Sequence, residues 1–365
     1  MTEYILAIDQ GTTGTTALLV GHDLRIHGRE TIDFPQHFPK PGWVEHDPEE
    51  IWASSRKAIL YLLEKTGIGT NQIQAIGITN QRETTLLWER NDGRPISNAI
   101  VWQCRRTAEI CQNLKKQGLE ETYRRHTGLV LDPYFSGTKL TWMLENLHGS
   151  ATRAKSGRLA FGTIDSFLVC RLTGGKSHVT DVSNASRTLM MDLEKLDWDD
   201  ALLKPLKVPR TLLPEIVPSS RVYGKTSGLD FLPDGIPIAG MAGDQQAALF
   251  GQGCWRPGMV KNTYGTGCFV VLNTGTELQR SSCGLLTTVC CDARGRAAYA
   301  LEGSVFTTGA AVQWLRDEMG LIGSAVETEK VASRVNDTQG VYVVPAFAGL
   351  GAPYWDMDAR GAIVG

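Results

Sequence analysis

The sequence predicts an α/β protein of two domains, and three observations carry that expectation. A chain of 365 residues exceeds the comfortable size of one hydrophobic core. Short apolar runs alternate with helical patterns along it, as in layered α/β folds. A Gly- and Thr-rich turn between two apolar strands also occurs twice.

The first copy of that turn opens the chain. Apolar runs from Tyr4 to Ile8 and from Ala17 to Val20 flank Asp9-Gln10-Gly11-Thr12-Thr13-Gly14-Thr15-Thr16. Gly11 and Gly14 are expected to take backbone angles that a side chain would forbid, so that peptide N–H groups converge on an anion. Thr12, Thr13 and Thr15 add hydroxyl donors, and Asp9 is placed to reach a cation, a combination that suits a phosphate carried with Mg²⁺. The spacing is not the Walker pattern, and the element after the turn reads as a strand. Taken alone, the same residues also describe an ordinary hairpin with a polar tip. The second copy, Val260-Lys261-Asn262-Thr263-Tyr264-Gly265-Thr266-Gly267-Cys268-Phe269-Val270-Val271-Leu272, favours a duplicated domain closing over a nucleotide.

Between and after the copies the elements follow in order. Arg25 to Ile32 continues the first hairpin as a meander. Asp47-Pro48-Glu49-Glu50 carries a cap, a first-turn Pro and acids near the positive end of a helix dipole. Ile51, Trp52, Ile59, Leu62 and Leu63 form that helix's apolar face, and Gly67 ends it. Gln74 to Thr79 is a buried strand that delivers Asn80-Gln81-Arg82-Glu83-Thr84-Thr85, and Leu86 to Trp88 is another strand. A helix follows Ala99 to Thr107 and ends at Gly118, and residues 134 to 147 form a further helix with Leu140, Met143, Leu144 and Leu147 inward. Pro205 to Pro218 is read as crossing the surface. Ile236 to Gly243 is a strand leading to Asp244-Gln245-Gln246 at a helix start, and the boundary is placed after it, giving domains 1–250 and 251–365. The second domain holds the second hairpin, strands at 284 to 291 and 296 to 302, a helix from Val305 to Met319 and a last strand from Gly340 to Pro345.

Bulk properties narrow the function. With 42% hydrophobic and 21% charged residues and a net charge of −2, nothing argues for nucleic acid or an acidic membrane surface as partner. Small anions would need local donors. The eight cysteines sit mostly in apolar runs without paired metal spacing and read as buried, reduced thiols of a cytoplasmic protein. Met1-Thr2-Glu3 runs directly into the first strand, leaving no room for a signal peptide, and no apolar run approaches a membrane span.

Three groups of residues carry chemistry. Asp244 ends a strand at the domain seam, where it reads either as a helix cap or as the group that orients an acceptor hydroxyl and takes its proton late in phosphoryl transfer. Arg82 and Glu83 are an adjacent fork of donors and pair of acceptors, matching a small polyol with neighbouring hydroxyls or else forming a surface ion pair. Trp102 and Phe269 are either apolar walls of that site or core residues. Gly309 is read as lying inside a helix with Gln313, at a cost of about 1 kcal/mol relative to Ala. It therefore admits a close neighbour, either another helix or a nucleotide.

Together these segments resemble the FGGY carbohydrate kinases of the actin/hexokinase/Hsp70 superfamily, and within them the members that phosphorylate glycerol. The residues that carry the resemblance are Asp9 to Gly14, Thr79 to Thr84, Val101-Trp102-Gln103-Cys104-Arg105-Arg106-Thr107, Gly243 to Gln246 and Asn262 to Gly267. Tyr134 to Asn146 is similar to the family's first signature, and the likeness covers essentially the whole chain. It implies two ribonuclease-H-like, actin-like ATPase domains with an intervening cleft, the second incomplete, and conversion of glycerol and ATP to sn-glycerol 3-phosphate. It further implies that Arg82, Glu83, Tyr134, Asp244 and Gln245 hold glycerol, with Trp102 and Phe269 against its carbons and Asp244 as base. Asp9 would place Mg²⁺, while Thr12 and Thr13 with Gly11 and Gly14, and Thr266 from the other side, would contact phosphates. Gly309 and Gln313 would approach the nucleotide.

The family's Ser-Ser-Arg is replaced by Gly14-Thr15-Thr16, so no arginine stands there. Thr226 to Phe231 lacks a Gly-rich basic regulatory loop, so control by a sugar bisphosphate is not expected. Gly361 to Gly365 resembles the opening of a second signature, beyond which family members continue into an adenine-binding loop. The expectation is that this chain is truncated and lacks that pocket. A kinase for another polyol or a pentulose, and a regulatory non-catalytic member, stand as alternatives. Self-association into a homodimer or homotetramer is left open.

Overall fold

The computed structural model describes residues 3–347 and 349–365. Its first sheet is built from β1 (Tyr4–Gln10), β2 (Gly14–Gly21), β3 (Ile26–Asp33), β4 (Ile73–Asn80), β5 (Ser220–Lys225) and β6 (Pro237–Gly243), in the order β5-β6-β4-β1-β2-β3. β1 to β3 form the antiparallel meander, whereas β4 lies parallel to both β1 and β6. Leu6 and Ile8 of β1, Ile76 and Ile78 of β4 and Ile238 of β6 are buried in one core.

Helix α1 (Pro48–Thr66) covers β2 and β3. The Asp47 carboxylate accepts from the Glu49 N–H at 2.8 Å, and Gly67 closes the other end in the left-handed region at φ 67°. Ile51, Ala58, Ile59 and Leu62 face the core, each large one stabilising by about 1.5–3 kcal/mol on burial. Trp52 is half-buried and meets Phe231 edge-on at 5.7 Å.

Helix α2 (Ser136–Asn146) buries Leu140, Met143 and Leu144. These residues, with Tyr134 and Phe135, share a second core with Phe269, Leu286 and Val289 of the later sheet, so the two lobes pack against one another. The segment after α2 departs from expectation. Pro205 lies within a short helix, and Leu206, Val208 and Leu212 are buried in that core while Val217 is buried in the first, so the stretch read as a surface crossing is interior.

Helix α3 (Asp244–Gly251) begins where β6 ends. The second sheet contains β7 (Val260–Tyr264), β8 (Cys268–Gly275), β9 (Leu286–Cys291) and β10 (Ala297–Val305), antiparallel in the order β7-β8-β10-β9. β10 runs through Gly303-Ser304-Val305, so helix α4 is Gly309–Asp317 and Gly309 is its first residue, not an interior one. Strand β11 (Tyr342–Val344) pairs with β12 (Ala362–Val364). All eight cysteines are free thiols, and Cys283 is exposed rather than buried. No helix among the described residues is long and apolar enough to cross a membrane.

Candidate active site

The parallel register of β1, β4 and β6 sets Gln10, Asn80 and Gly243 side by side. The residues that follow each strand therefore emerge at one edge of the sheet: the Gly11–Gly14 turn, the Gln81–Glu83 loop and Asp244. Ligands of open α/β sheets collect at such carboxyl ends. The β7–β8 turn faces this edge from the other lobe, and the space between is a cleft of about 850 Å³.

Thr12, Thr13, Arg82, Glu83, Trp102, Tyr134, Asp244, Gln245, Thr266, Phe269 and Gln313 all line the cleft. Asp9, Gly11, Gly14 and Gly309 are not among the residues that line it, and Asp9 is exposed. Neither Gly11 nor Gly14 uses the positive φ expected of it. Gly14 sits in tight packing instead, because a Cβ there would lie 3.0 Å from the Ile32 carbonyl and would push the Asp33 carboxylate aside. The close neighbour of Gly309 is the second turn itself: its N–H donates to the Gly265 carbonyl at 3.0 Å, and a Cβ would fall 2.5 Å from that oxygen.

Arg82 and Glu83 are not a surface ion pair, since their side chains are 2% and 1% exposed. Arg82 Nη1 and Nη2 donate to Oε2 and Oε1 of Glu302 at 2.5 and 3.0 Å, and Nε lies 3.2 Å from Asp244 Oδ1. Nη2 also reaches the Tyr134 hydroxyl at 3.3 Å. Glu83, held at φ 60°, accepts from Arg187 Nε at 2.6 Å through Oε1, and Arg187 Nη2 donates to Glu302 Oε1 at 3.0 Å. Two arginines and two glutamates thus form one buried network, and Glu302 on β10 joins it from the other lobe.

Electrostatics follow from that packing. Burial alone would raise the Glu302 carboxyl, but Arg187 and Arg82 overcome it and hold it down at about 2. Burial wins at Glu83, whose pKa is raised against the pull of Arg82 and Arg187. The Asp244 side chain is 38% open to the cleft, yet the surrounding protein still raises its pKa. Arg82 and the Gln245 N–H oppose that rise, and Asp9 adds to it. Asp9 is raised by desolvation, with Arg29 opposing. A carboxylate of raised proton affinity beside a fixed guanidinium can accept a proton from a hydroxyl held against it.

Aromatic rings wall the remaining space. Trp102 meets Tyr134 edge-on at 5.8 Å and Phe269 at 6.1 Å, and the Arg82 guanidinium lies 6.0 Å from the Phe269 ring. Lys261 of β7 donates to Gln245 Oε1, to Thr263 Oγ1 at 2.8 Å and to the Phe269 carbonyl at 3.1 Å. Burial brings its pKa down to about 8. Glu302, Arg187 and Lys261 have no role in the sequence reading. Nothing local in the sequence ties Arg187 to Glu302.

Residues 4–251 match the FGGY family of carbohydrate kinases, N-terminal domain, and residues 260–365 match the C-terminal domain of the same family. The chain is 58% identical over 363 residues to the glycerol kinases of Carboxydothermus hydrogenoformans and Klebsiella pneumoniae (strain 342). All of this chain is covered, against 73% and 72% of theirs. Among solved structures it superposes on Plasmodium falciparum glycerol kinase with ADP at a TM-score of 0.88 and 37% identity, covering 100% of this chain and 73% of that one. A ligand-bound xylulose kinase from Lactobacillus acidophilus shares the fold at a TM-score of 0.84 and 24% identity, with 100% and 72% covered.

Proposed function

The chain belongs to the FGGY family of carbohydrate kinases, and from that premise we propose that it transfers the terminal phosphoryl group of ATP to glycerol, forming sn-glycerol 3-phosphate. The observation that carries this reading is the meeting, in one cleft, of the Arg82–Glu83–Asp244 cluster with both Gly/Thr turns. Two neighbouring hydroxyls of the acceptor reach the Nε edge of Arg82, whose Nη groups Glu302 holds, and the Glu83 carboxylate, while Tyr134 and Gln245 close the polar side. Trp102 and Phe269 cover the carbon face.

The third hydroxyl lies against Asp244. Phosphoryl transfer runs through a loose transition state, so this carboxylate orients the oxygen and accepts its proton as the new bond forms. Thr12 and Thr13 from one lobe and Thr266 from the other hold the phosphates, with Gln313 alongside. Gly11, Gly14 and Gly309 keep the turns close enough to do so.

Asp9 near the end of β1 and Asp244 just after β6 emerge at the same sheet edge, and two such hard oxygen donors fit a magnesium ion. When bound, that ion would neutralise charge on the phosphates of the nucleotide. The seam between lobes lies near Gly251-Gln252-Gly253, and the cytoplasm, where ATP and reduced thiols are found, is the compartment this chemistry fits.

The test is acceptor-dependent ADP formation by the full-length protein with glycerol, erythritol or xylulose. The reading expects glycerol to give the highest kcat/KM. Faster turnover of xylulose would replace it with a pentulose kinase.

A further inference from the structure

We infer that Gln36, His46 and Gln81 are positioning residues that couple the phosphate-holding turn to the acceptor wall through a closed ring of hydrogen bonds. The inference rests on the reading of the cleft as a site for glycerol and ATP. The ring is explicit in the geometry. Gln36 Nε2 donates to the Thr12 carbonyl at 2.7 Å, and Gln36 Oε1 accepts from His46 Nε2 at 2.6 Å. Gln81 Nε2 donates to His46 Nδ1 at 3.3 Å, and Gln81 Oε1 accepts from Thr84 Oγ1 at 2.8 Å. Thr84 Oγ1 accepts the Trp102 main-chain N–H at 3.3 Å, and Trp102 Nε1 returns to Thr12 Oγ1 at 2.9 Å.

Every member has a consistent donor or acceptor role only if His46 is neutral, with its proton on Nε2. The structure enforces that form. His46 is fully buried, the Phe34 ring packs edge-on against it at 5.0 Å, and burial pushes its pKa down to about 3. The same Gln81 Nε2 also donates to the Gly11 carbonyl at 3.0 Å and Gln10 Oε1 at 3.1 Å, so its two hydrogens are shared between the turn and His46. The ring contains Thr12, assigned to a phosphate, and Trp102, assigned to the acceptor's carbons. It therefore crosses between the two half-sites without using the lobe interface. Fixing Thr12 by bound phosphate leaves less freedom to be lost when the acceptor orders Trp102 and the Gln81–Thr84 loop, which is a source of positive coupling.

Glycerol is titrated calorimetrically into the full-length protein, alone and with a saturating non-hydrolysable ATP analogue, and the ratio of the two dissociation constants is the coupling. In the native protein the nucleotide is expected to tighten glycerol. His46→Leu, which removes both ring nitrogens, is expected to lower that ratio by about fivefold, the worth of one net hydrogen bond. His46→Gln, which supplies an amide donor and acceptor, is expected to restore it. Gln36→Ala opens the same ring from a half-buried position, so its ratio decides if His46→Leu does not fold. A native ratio in either opened ring, or no coupling in the native protein, overturns the inference. Absence of glycerol binding in the native protein overturns the glycerol reading instead.

Discussion

Glu302 shows how a single buried charge organises the site. Its carboxylate takes both arms of Arg82 and one arm of Arg187, so the guanidinium proposed to face the acceptor is oriented from the opposite lobe. Removing one partner of a buried ion network leaves uncompensated charge and costs about 3–5 kcal/mol. Glu302→Gln is expected to lower unfolding stability by about that amount in urea melts at neutral pH. The sign of the pH dependence follows from its depressed pKa. The charged form adds stability above the ordinary value of 4.5, and the contribution is lost as pH falls toward about 2. The gap between native protein and Glu302→Gln should therefore shrink over that window, and a pH-independent gap would refute the assignment. None of this was legible in the sequence. Arg82 and Glu83 stood out because they are adjacent in an otherwise uncharged loop, whereas Glu302 and Arg187 become partners only through the tertiary fold.

At the scale of elements, the two turns were legible because Gly and Thr punctuate apolar strands, and α1 because its cap, first-turn Pro and terminal Gly agree. The end of β10 was not. Its inward positions are Ala298, Ala300, Glu302 and Ser304, so hydrophobic alternation fades into buried polar residues serving the site. The reason for Gly309 was half legible: a close neighbour was expected, and it proved to be the Gly265 carbonyl of the second turn. A methyl group there must displace backbone, and overpacking of this kind costs about 1–3 kcal/mol. Gly309→Ala is expected to raise the KM for ATP by about tenfold, through displacement of Gly265-Thr266-Gly267, while the dissociation constant for glycerol alone stays unchanged. Equal loss of affinity for both ligands would place the turn outside the nucleotide site.

At the scale of the whole molecule, the parallel register of β1, β4 and β6 delivers Asp9, Arg82, Glu83 and Asp244 to one edge, and the second sheet brings Thr266, Phe269 and Glu302 to face them. Length and the repeated turn were enough to read two lobes and a cleft. The shared core of α2 with β8 and β9 was not legible, because its apolar residues look like those of any core. The account as a whole stands on Asp244 as the group that receives the acceptor's proton. The direct measurement is glycerol-dependent ADP release by the full-length protein, native against Asp244→Asn, with Mg-ATP saturating. The account expects sn-glycerol 3-phosphate in step with ADP from the native protein, and a kcat lower by about 10²–10⁴-fold in Asp244→Asn with glycerol still bound. Turnover by Asp244→Asn within a few-fold of native, or no acceleration of ADP release by glycerol in the native protein, would contradict it.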